Sequence, residues 1–243
     1  MVYQALGVKF HPVTRAQAVD RVREMLTQDR FHQVVTLGTE MVMRAQENGQ
    51  FREVVNQADL VTADGVGLVL ASKLCNLHTP ERVAGIELLV QLMEHLPREV
   101  KYFLLGAAPG VADKAAENLR AQYPGLDIVG VQDGYFKDDE AVLQAIEDSG
   151  AHVLLVGLGS PRQEDWLYQH RHRLSARVGI GVGGSFDVLS GRLARAPEWM
   201  IRLHLEWLYR LLREPRRILR MMALPRFAWR VLCSGGKAVQ KLL

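Results

Sequence analysis

Short runs of β-branched and aliphatic residues alternate with helical patterns between residues 30 and 190, and this alternation restricts the possible folds more than any other feature. The run His152–Gly157 is apolar almost without interruption, as expected for a strand buried on both faces. Such alternation predicts an α/β fold, with a mostly parallel sheet sandwiched by helices in a Rossmann-like body. The predicted strands are Gln33–Leu37, Leu60–Ala63, Val100–Leu105, Ile128–Val131, His152–Gly157 and Val178–Val182. The predicted helices are Glu40–Gln46, Gly67–Leu74, Ile86–Leu96, Val111–Gln122, Glu140–Glu147 and Glu164–His172.

A change in charge divides the chain near residue 194. Residues 1–194 contain 19 Lys/Arg and 24 Asp/Glu, whereas residues 195–243 contain 11 Lys/Arg, 3 Asp/Glu and three of the four tryptophans. Pro197, Pro215 and Pro225 divide this last segment into short helical patterns, because proline is tolerated only in the first turn of a helix. We therefore predict an α/β body over residues 1–194 and a basic, Trp-rich helical appendage over residues 195–243.

The basic appendage predicts an anionic partner, either a membrane surface or a nucleic acid. Basic residues interleaved with Trp and Leu favour a helix that lies in a membrane surface. The alternative is that the apolar residues pack on the body and the arginines are solvated. No run approaches the roughly 18 apolar residues of a spanning helix, so we expect membrane contact to be peripheral. Two distant cysteines and an N-terminus without a leader pattern agree with a cytoplasmic location.

Four glycine-rich turns follow predicted strands, at residues 105–110, 130–136, 157–164 and 179–187. Ligands of open α/β sheets bind beyond the carboxyl ends of the strands, where such turns lead into helices. Backbone N–H groups at helix N-termini suit phosphate, and glycine permits close approach. An ordinary tight turn explains any one of them equally well, but four together favour a nucleotide-like ligand. None matches the P-loop or the dinucleotide fingerprint, which disfavours a nicotinamide-dependent oxidoreductase.

Asp64 ends a predicted strand within the motif Ala63-Asp64-Gly65-Val66-Gly67. A carboxylate that the strand fixes and a substrate can reach fits a general base. The alternative is that Asp64 caps the following helix, and spacing alone favours the cap. The chain lacks HExxH and GxSxG motifs, which disfavours the hydrolases that use them.

Taken in order along the chain, these motifs resemble the WecG/TagA/CpsF family of glycosyltransferases, also known as glycosyltransferase family 26. Each match is short, but the set covers nearly the whole chain. The matching segments are Val35-Thr36, Gly191 and residues 63–67, 81–87, 104–106, 134–136, 157–164, 181–187, 195–197 and 205–217.

The resemblance implies transfer of an N-acetylmannosamine-type sugar from a UDP-sugar donor to GlcNAc on undecaprenyl diphosphate, a polyprenyl-diphosphate-linked acceptor. It implies inversion at the anomeric carbon without a metal or other cofactor, in the synthesis of a cell-surface polysaccharide such as teichoic acid. The enzyme is then expected to bind peripherally to the anionic inner face of the cell membrane and not to a nucleic acid. Whether it self-associates through the body is left open. The alternatives are another UDP-hexose donor (glucose or the uronic acid of N-acetylmannosamine) and a nucleic-acid-binding α/β protein with a basic arm.

The resemblance also implies roles for individual residues. The implied catalytic set, in which Asp64 is the general base, is Asp64, Thr36, Arg82 and Gln163. The implied substrate-binding set, in which Tyr135 and Asp187 lie at the uridine end, is Gly106, Tyr135, Gly157, Gly184 and Asp187. The implied lipid-diphosphate-binding set is Arg210, Arg217 and Arg220, because a leaving diphosphate needs cationic stabilisation when no metal supplies it. Gly38, where many members have Asn, and Ala84 and Glu87 within the segment 81–87 depart from the family pattern near the expected pocket.

Overall fold

The computed structural model describes residues 1–78, 81–203, 205–213, 218–234 and 236–242, and for Arg210, Leu219 and Arg220 it describes the backbone alone. The strands are β1 (Val2–Ala5), β2 (Val8–Phe10), β3 (His32–Leu37), β4 (Leu60–Ala63), β5 (Lys101–Gly106), β6 (Asp127–Gln132), β7 (Val153–Gly157), β8 (Val178–Gly181) and β9 (Val239–Leu242). The helices are α1 (Arg15–Leu26), α2 (Thr39–Glu47), α3 (Gly49–Gln57), α4 (Val66–Leu74), α5 (Gly85–His95), α6 (Val111–Gln122), α7 (Asp139–Ser149), α8 (Arg162–His170), α9 (Ser185–Leu189), α10 (Glu198–Arg202), α11 (Glu206–Arg213), α12 (Ile218–Met221) and α13 (Ala223–Cys233).

Six parallel strands form the central sheet, in the order β4-β3-β8-β7-β5-β6. The predicted α/β class is confirmed, and all six predicted strands belong to this sheet. Because parallel strands place their carboxyl ends at one edge, the turns after β3, β4, β7 and β8 lie next to one another. The fold therefore brings together segments that are more than 100 residues apart in the chain.

The sheet is buried on both faces. Successive side chains of a strand point to opposite faces. Val34, Leu104 and Leu155 pack on one face with α1, α5 and α6, while Val35 and Leu154 pack on the other with helices that include α2, α4, α7 and α8. Two-sided burial explains the nearly continuous apolar runs from which the strands were predicted.

A second, antiparallel sheet has the order β2-β1-β9 and joins the two ends of the chain. In it, Val2 lies opposite Leu242 and Tyr3 lies opposite Phe10. None of its strands was predicted, because runs of three or four mixed residues are too short to show a period of two. The segment predicted to be a helical appendage therefore also contains a strand.

The C-terminal helices have some apolar side chains packed on the body and others at the surface. Phe227 and Val231 on α13 are buried against the body, whereas Trp229 and Leu232 on the same helix are exposed. Eight of the twelve large apolar side chains that the described part of the chain exposes lie in residues 195–242. Within the described residues, none of the helices has the length and apolar character needed to cross a bilayer.

Candidate active site

A cavity of about 280 Å³ opens at the carboxyl edge of the central sheet. Its lining comes from the turns after β3, β4, β7 and β8, from the segment before α5 and from the C-terminal helices. The sheet side contributes Thr36, Asp64, Arg82, Gln163 and Gly184. The C-terminal helices contribute Glu206, Trp207, Met221 and Leu224, so the opposite wall is largely apolar. All four residues of the implied catalytic set thus line one cavity.

Asp64 is positioned by the close packing of two turns. A Cβ atom at Gly65 would lie 2.8 Å from Oγ1 of Thr39, and one at Gly67 would lie 2.7 Å from the same atom, so neither position has room for a side chain. The prediction that Asp64 caps the following helix is wrong, because Gly65 is the N-cap residue of α4 and no side chain bonds there. The Asp64 carboxylate instead accepts a hydrogen bond from the backbone N–H of Gly85, at 3.5 Å.

Arg82 lies at the centre of a cluster of carboxylates. Its Nη1 is 3.6 Å from Oδ1 of Asp64, and its Nη2 donates to Oε1 of Glu87 at 3.2 Å. Both Nη atoms also donate to Oε2 of Glu206, each at 3.4 Å. Burial opposes the charge of Arg82, but the fields of Asp64, Glu87 and Glu206 outweigh burial and raise the pKa of the guanidinium. Arg82 therefore remains a cation beside Asp64.

Thr36 and Gln163 present fixed polar groups to the cavity. The Thr36 hydroxyl donates to the carbonyl oxygen of Gly181, at 3.1 Å. The Gln163 Oε1 accepts from the backbone N–H of Gly183 at 3.0 Å, and its Nε2 donates to Oε1 of Glu164 at 2.7 Å. These bonds determine which end of the Gln163 amide faces which neighbour, so the side chain is oriented before a ligand arrives.

Glu164 was not predicted as a site residue. It follows Gln163 in α8 and is 1% exposed, and burial raises the pKa of its carboxyl to about 7. Its Oε2 has no hydrogen-bond partner within the described residues. In sequence, Glu164 was expected to begin a helix, where acidic residues are commonly exposed. Only the approach of the neighbouring strands buries it.

Four of the five residues implied to bind substrate lie at the same edge of the sheet but outside the cavity lining. Gly106 and Gly157 face each other in β5 and β7, and a Cβ atom at Gly106 would lie 2.5 Å from the carbonyl of Gly157. Close strand packing therefore accounts for Gly106, whereas a Cβ atom at Gly157 would lie 2.7 Å from the ring of Phe186. Tyr135 is 73% exposed in the turn after β6, and Asp187 on α9 forms an ion pair with Arg192 at 3.6 Å.

Two of the three implied lipid-diphosphate-binding arginines belong to helices beside the cavity. Arg210 is in α11 and Arg220 is in α12, but their side chains lie outside the described part of the structure, as does the whole of Arg217. The neighbouring Glu206, Trp207 and Met221 line the cavity. Glu206 and Trp207 were missed as site residues, although an acidic residue in so basic a segment is a recognisable signal.

Known proteins resemble this chain along most of its length. The model of the glycosyl transferase WecG/TagA/CpsF family matches residues 3–240. A protein from Bacillus spizizenii is 38% identical over 208 residues, which is 85% of this chain and 81% of that protein. One from Bacillus subtilis is 36% identical, covering 82% of this chain and 78% of the relative. One from Staphylococcus aureus is 33% identical, covering 96% and 92%. All three relatives are named N-acetylglucosaminyldiphosphoundecaprenol N-acetyl-beta-D-mannosaminyltransferase.

The carboxyl edge of the parallel sheet has a cavity that contains a carboxylate, an arginine and an oriented amide, and the relatives match most of the chain. Together these findings define a glycosyltransferase of the α/β class. The chain belongs to the WecG/TagA/CpsF family.

Proposed function

We propose that this glycosyltransferase moves N-acetylmannosamine from a UDP-sugar to GlcNAc that is linked through diphosphate to undecaprenol. The names of the relatives support the transferred sugar and the acceptor. The observation that carries the chemical assignment is the Asp64 carboxylate, which lies in the cavity beside Arg82 and within reach of a bound ligand. The cation and the nearby backbone N–H groups suit the diphosphate of a nucleotide sugar.

In the proposed reaction, Asp64 accepts the proton of the attacking hydroxyl of GlcNAc. The hydroxyl oxygen forms a bond to the anomeric carbon from the face opposite UDP, while the bond from that carbon to the diphosphate oxygen breaks. The configuration of the anomeric carbon is thereby inverted, and UDP leaves with the electron pair. Thr36 and Gln163 orient the sugars from the sheet side of the cavity.

The charge on the leaving diphosphate is neutralised by arginines in this scheme, without a metal ion. Arg82 lines the cavity, and Arg210 and Arg220 belong to helices α11 and α12, which contribute to its wall; Arg217 lies outside the described residues. The exposed apolar and basic residues of the same segments support peripheral binding to the inner face of the cell membrane, where the lipid-linked acceptor would be.

The proposal is tested by a donor screen with purified protein and a short-chain prenyl-diphosphate-GlcNAc acceptor, in which UDP-N-acetylmannosamine should be the best donor. Asp64→Asn should lower the rate of transfer by about 100-fold or more, because general base catalysis contributes about 10²–10⁴. UDP binding, measured by calorimetry, should change less than about threefold, because the amide has nearly the same shape.

Asp148→Asn, an equivalent change at an exposed position on α7, is the matched control and should transfer at the wild-type rate. Transfer by Asp64→Asn at the wild-type rate would remove Asp64 as the base. Strong inhibition by EDTA would contradict the metal-free scheme, and preference for UDP-glucose would replace the proposed donor.

A further inference from the structure

Glu206 is an acidic residue in a basic segment, and it is buried. Residues 195–243 contain only three Asp/Glu among 11 Lys/Arg. Glu198, another of the three, is exposed and pairs with Arg202 on the same helix. Glu206 instead points from the first turn of α11 into the cavity and reaches Arg82, 124 residues earlier in the chain. An ionised side chain that is removed from water in this way needs a compensating partner.

The contacts of Arg82 show what Glu206 does. Nη2 donates to Glu87 at 3.2 Å and both Nη atoms make long hydrogen bonds of 3.4 Å to Glu206, whereas Nη1 lies 3.6 Å from Oδ1 of Asp64. The guanidinium is thus held between carboxylates from α5 and α11. Arg82 therefore acts on Asp64 mainly through its charge.

The separation between Arg82 and Asp64 matters for a general base. A guanidinium that bonds directly to a carboxylate stabilises its charged form and makes it a weaker base. A more distant guanidinium stabilises the charged form of Asp64 less, so the carboxylate stays a stronger base. The carboxylates that hold Arg82 therefore influence the reactivity of Asp64 without touching a substrate.

We infer that Glu206 is a positioning residue, which holds Arg82 at the distance from Asp64 that catalysis requires. This role rests on the proposed function, in which Asp64 is the base. Because Glu206 belongs to α11, the alignment of Arg82 is complete only when this helix lies over the cavity. The C-terminal segment thus contributes to the chemical step as well as to the binding of the lipid.

Glu206→Gln tests this role. The rate constant kcat should fall by about tenfold or more, while the KM for the UDP-sugar should change less than about threefold, because Arg82 shifts but remains in the cavity. Glu198→Gln removes the same charge from the neighbouring helix α10 and should leave kcat within about twofold of the wild type. An unchanged kcat in Glu206→Gln would overturn the inference.

Two further variants separate positioning from stability. Glu206→Asp keeps the buried charge, but its side chain is shorter by one methylene and cannot reach both Nη atoms, so its kcat should also fall. If Glu206→Gln does not fold, a wild-type kcat in Glu206→Asp overturns the inference. In an Arg82→Lys background, Glu206→Gln should change kcat less than about threefold. Effects that multiply independently would show that Glu206 does not act through Arg82.

A measurement that needs no donor distinguishes failure of this inference from failure of the proposed function. Removing the negative charge of Glu206 and letting Arg82 approach both favour the charged form of Asp64. Its carboxyl carbon, followed by ¹³C NMR, should therefore titrate at lower pH in Glu206→Gln than in the wild type. Among the described residues, the other charged groups around the cluster are Arg15, Glu40, Glu87 and Arg195, and all four are unchanged in this comparison. Equal titration would contradict the inference even if no UDP-sugar proved to be a donor.

Discussion

At the scale of single residues, Asp64 lies where two turns pack so closely that neither Gly65 nor Gly67 could carry a side chain. This close packing fixes Asp64 directly after β4, and its carboxylate contacts Gly85 and Arg82. The sequence motif indicated a carboxylate at a strand end but could not decide between a cap and a base. The structure excludes the cap, because Gly65 is the N-cap residue and the carboxylate contacts Gly85, 21 residues further along the chain.

The buried carboxyl of Glu164 makes the stability of the protein depend on pH. Its pKa is about 7 in the folded protein and 4.5 for an ordinary glutamate, so the folded state binds the proton more tightly. Stability should therefore fall as pH rises from about 4.5 to about 7. Glu164→Gln resembles the protonated form and should recover up to about 3 kcal/mol at pH 8 but little at pH 4. Urea unfolding of both proteins at the two pH values measures this difference.

Glu147→Gln, at an exposed position on α7, is the control for this comparison. Its free energy of unfolding should follow the wild type at both pH values. An equal effect of Glu164→Gln at pH 4 and pH 8 would mean that Glu164 does not bind a proton in this range.

At the scale of secondary-structure elements, α13 has two apolar faces with different surroundings. Phe227 is 3% exposed and packs near Gly67 of α4, whereas Trp229 is 70% exposed. Phe227→Ala should lower the free energy of unfolding by about 3 kcal/mol, as large-to-small changes in a core do. Trp229→Ala should change it by less than about 0.5 kcal/mol. Urea unfolding at one pH compares the two variants.

The same pair of variants should respond in the opposite order when membrane binding is measured by vesicle flotation. Trp229→Ala should lower the bound fraction, because the exposed indole would enter the lipid surface. If Trp229→Ala were as destabilising as Phe227→Ala, the exposed face of α13 would have to be part of the core.

Elements were predictable where local patterns are long. The six central strands and α2, α4, α5, α6, α7 and α8 were predicted to within two residues at each end, because two-sided burial and helical periodicity are local signals. The helix α1 was missed although Thr14 and Gln17 form a capping box at its start, a signal that the sequence contains. β1, β2 and β9 depend on pairing between the two ends of the chain, and no local pattern shows it.

The candidate site was predictable to a similar degree. Thr36, Asp64, Arg82 and Gln163 were expected at strand ends or in matching motifs, and the parallel sheet brings them to one cavity. The buried Glu164 and the link between Glu206 and Arg82 arise from contacts across the fold. Burial of a charged residue is a property of its three-dimensional neighbours, so it could not be read from the chain.

At the scale of the whole molecule, the basic charge and most exposed apolar side chains lie in the segment that also covers the cavity. Binding to vesicles that contain anionic lipid should therefore weaken by about tenfold or more when NaCl is raised from about 0.05 to 0.5 M, because salt screens surface charge. Sedimentation of the protein with vesicles over this range measures the effect.

A pair of charge reversals checks which surface is responsible. Arg202→Glu, at an exposed position of α10, should weaken binding to anionic vesicles, whereas Lys114→Glu, at an exposed position of α6, should not. Equal effects of the two changes would mean that general charge, and not the C-terminal segment, governs the interaction.

The pairing of β9 with β1 makes the first and last strands neighbours in one sheet, with Val2 opposite Leu242. The segment over the cavity is therefore attached at both ends, to the body before Arg195 and again through α13 and β9. A segment attached at both ends cannot rotate away from the cavity about a single hinge. Because α13 also packs on the body through Phe227 and Val231, removal of β9 alone should leave the segment anchored beyond the cavity.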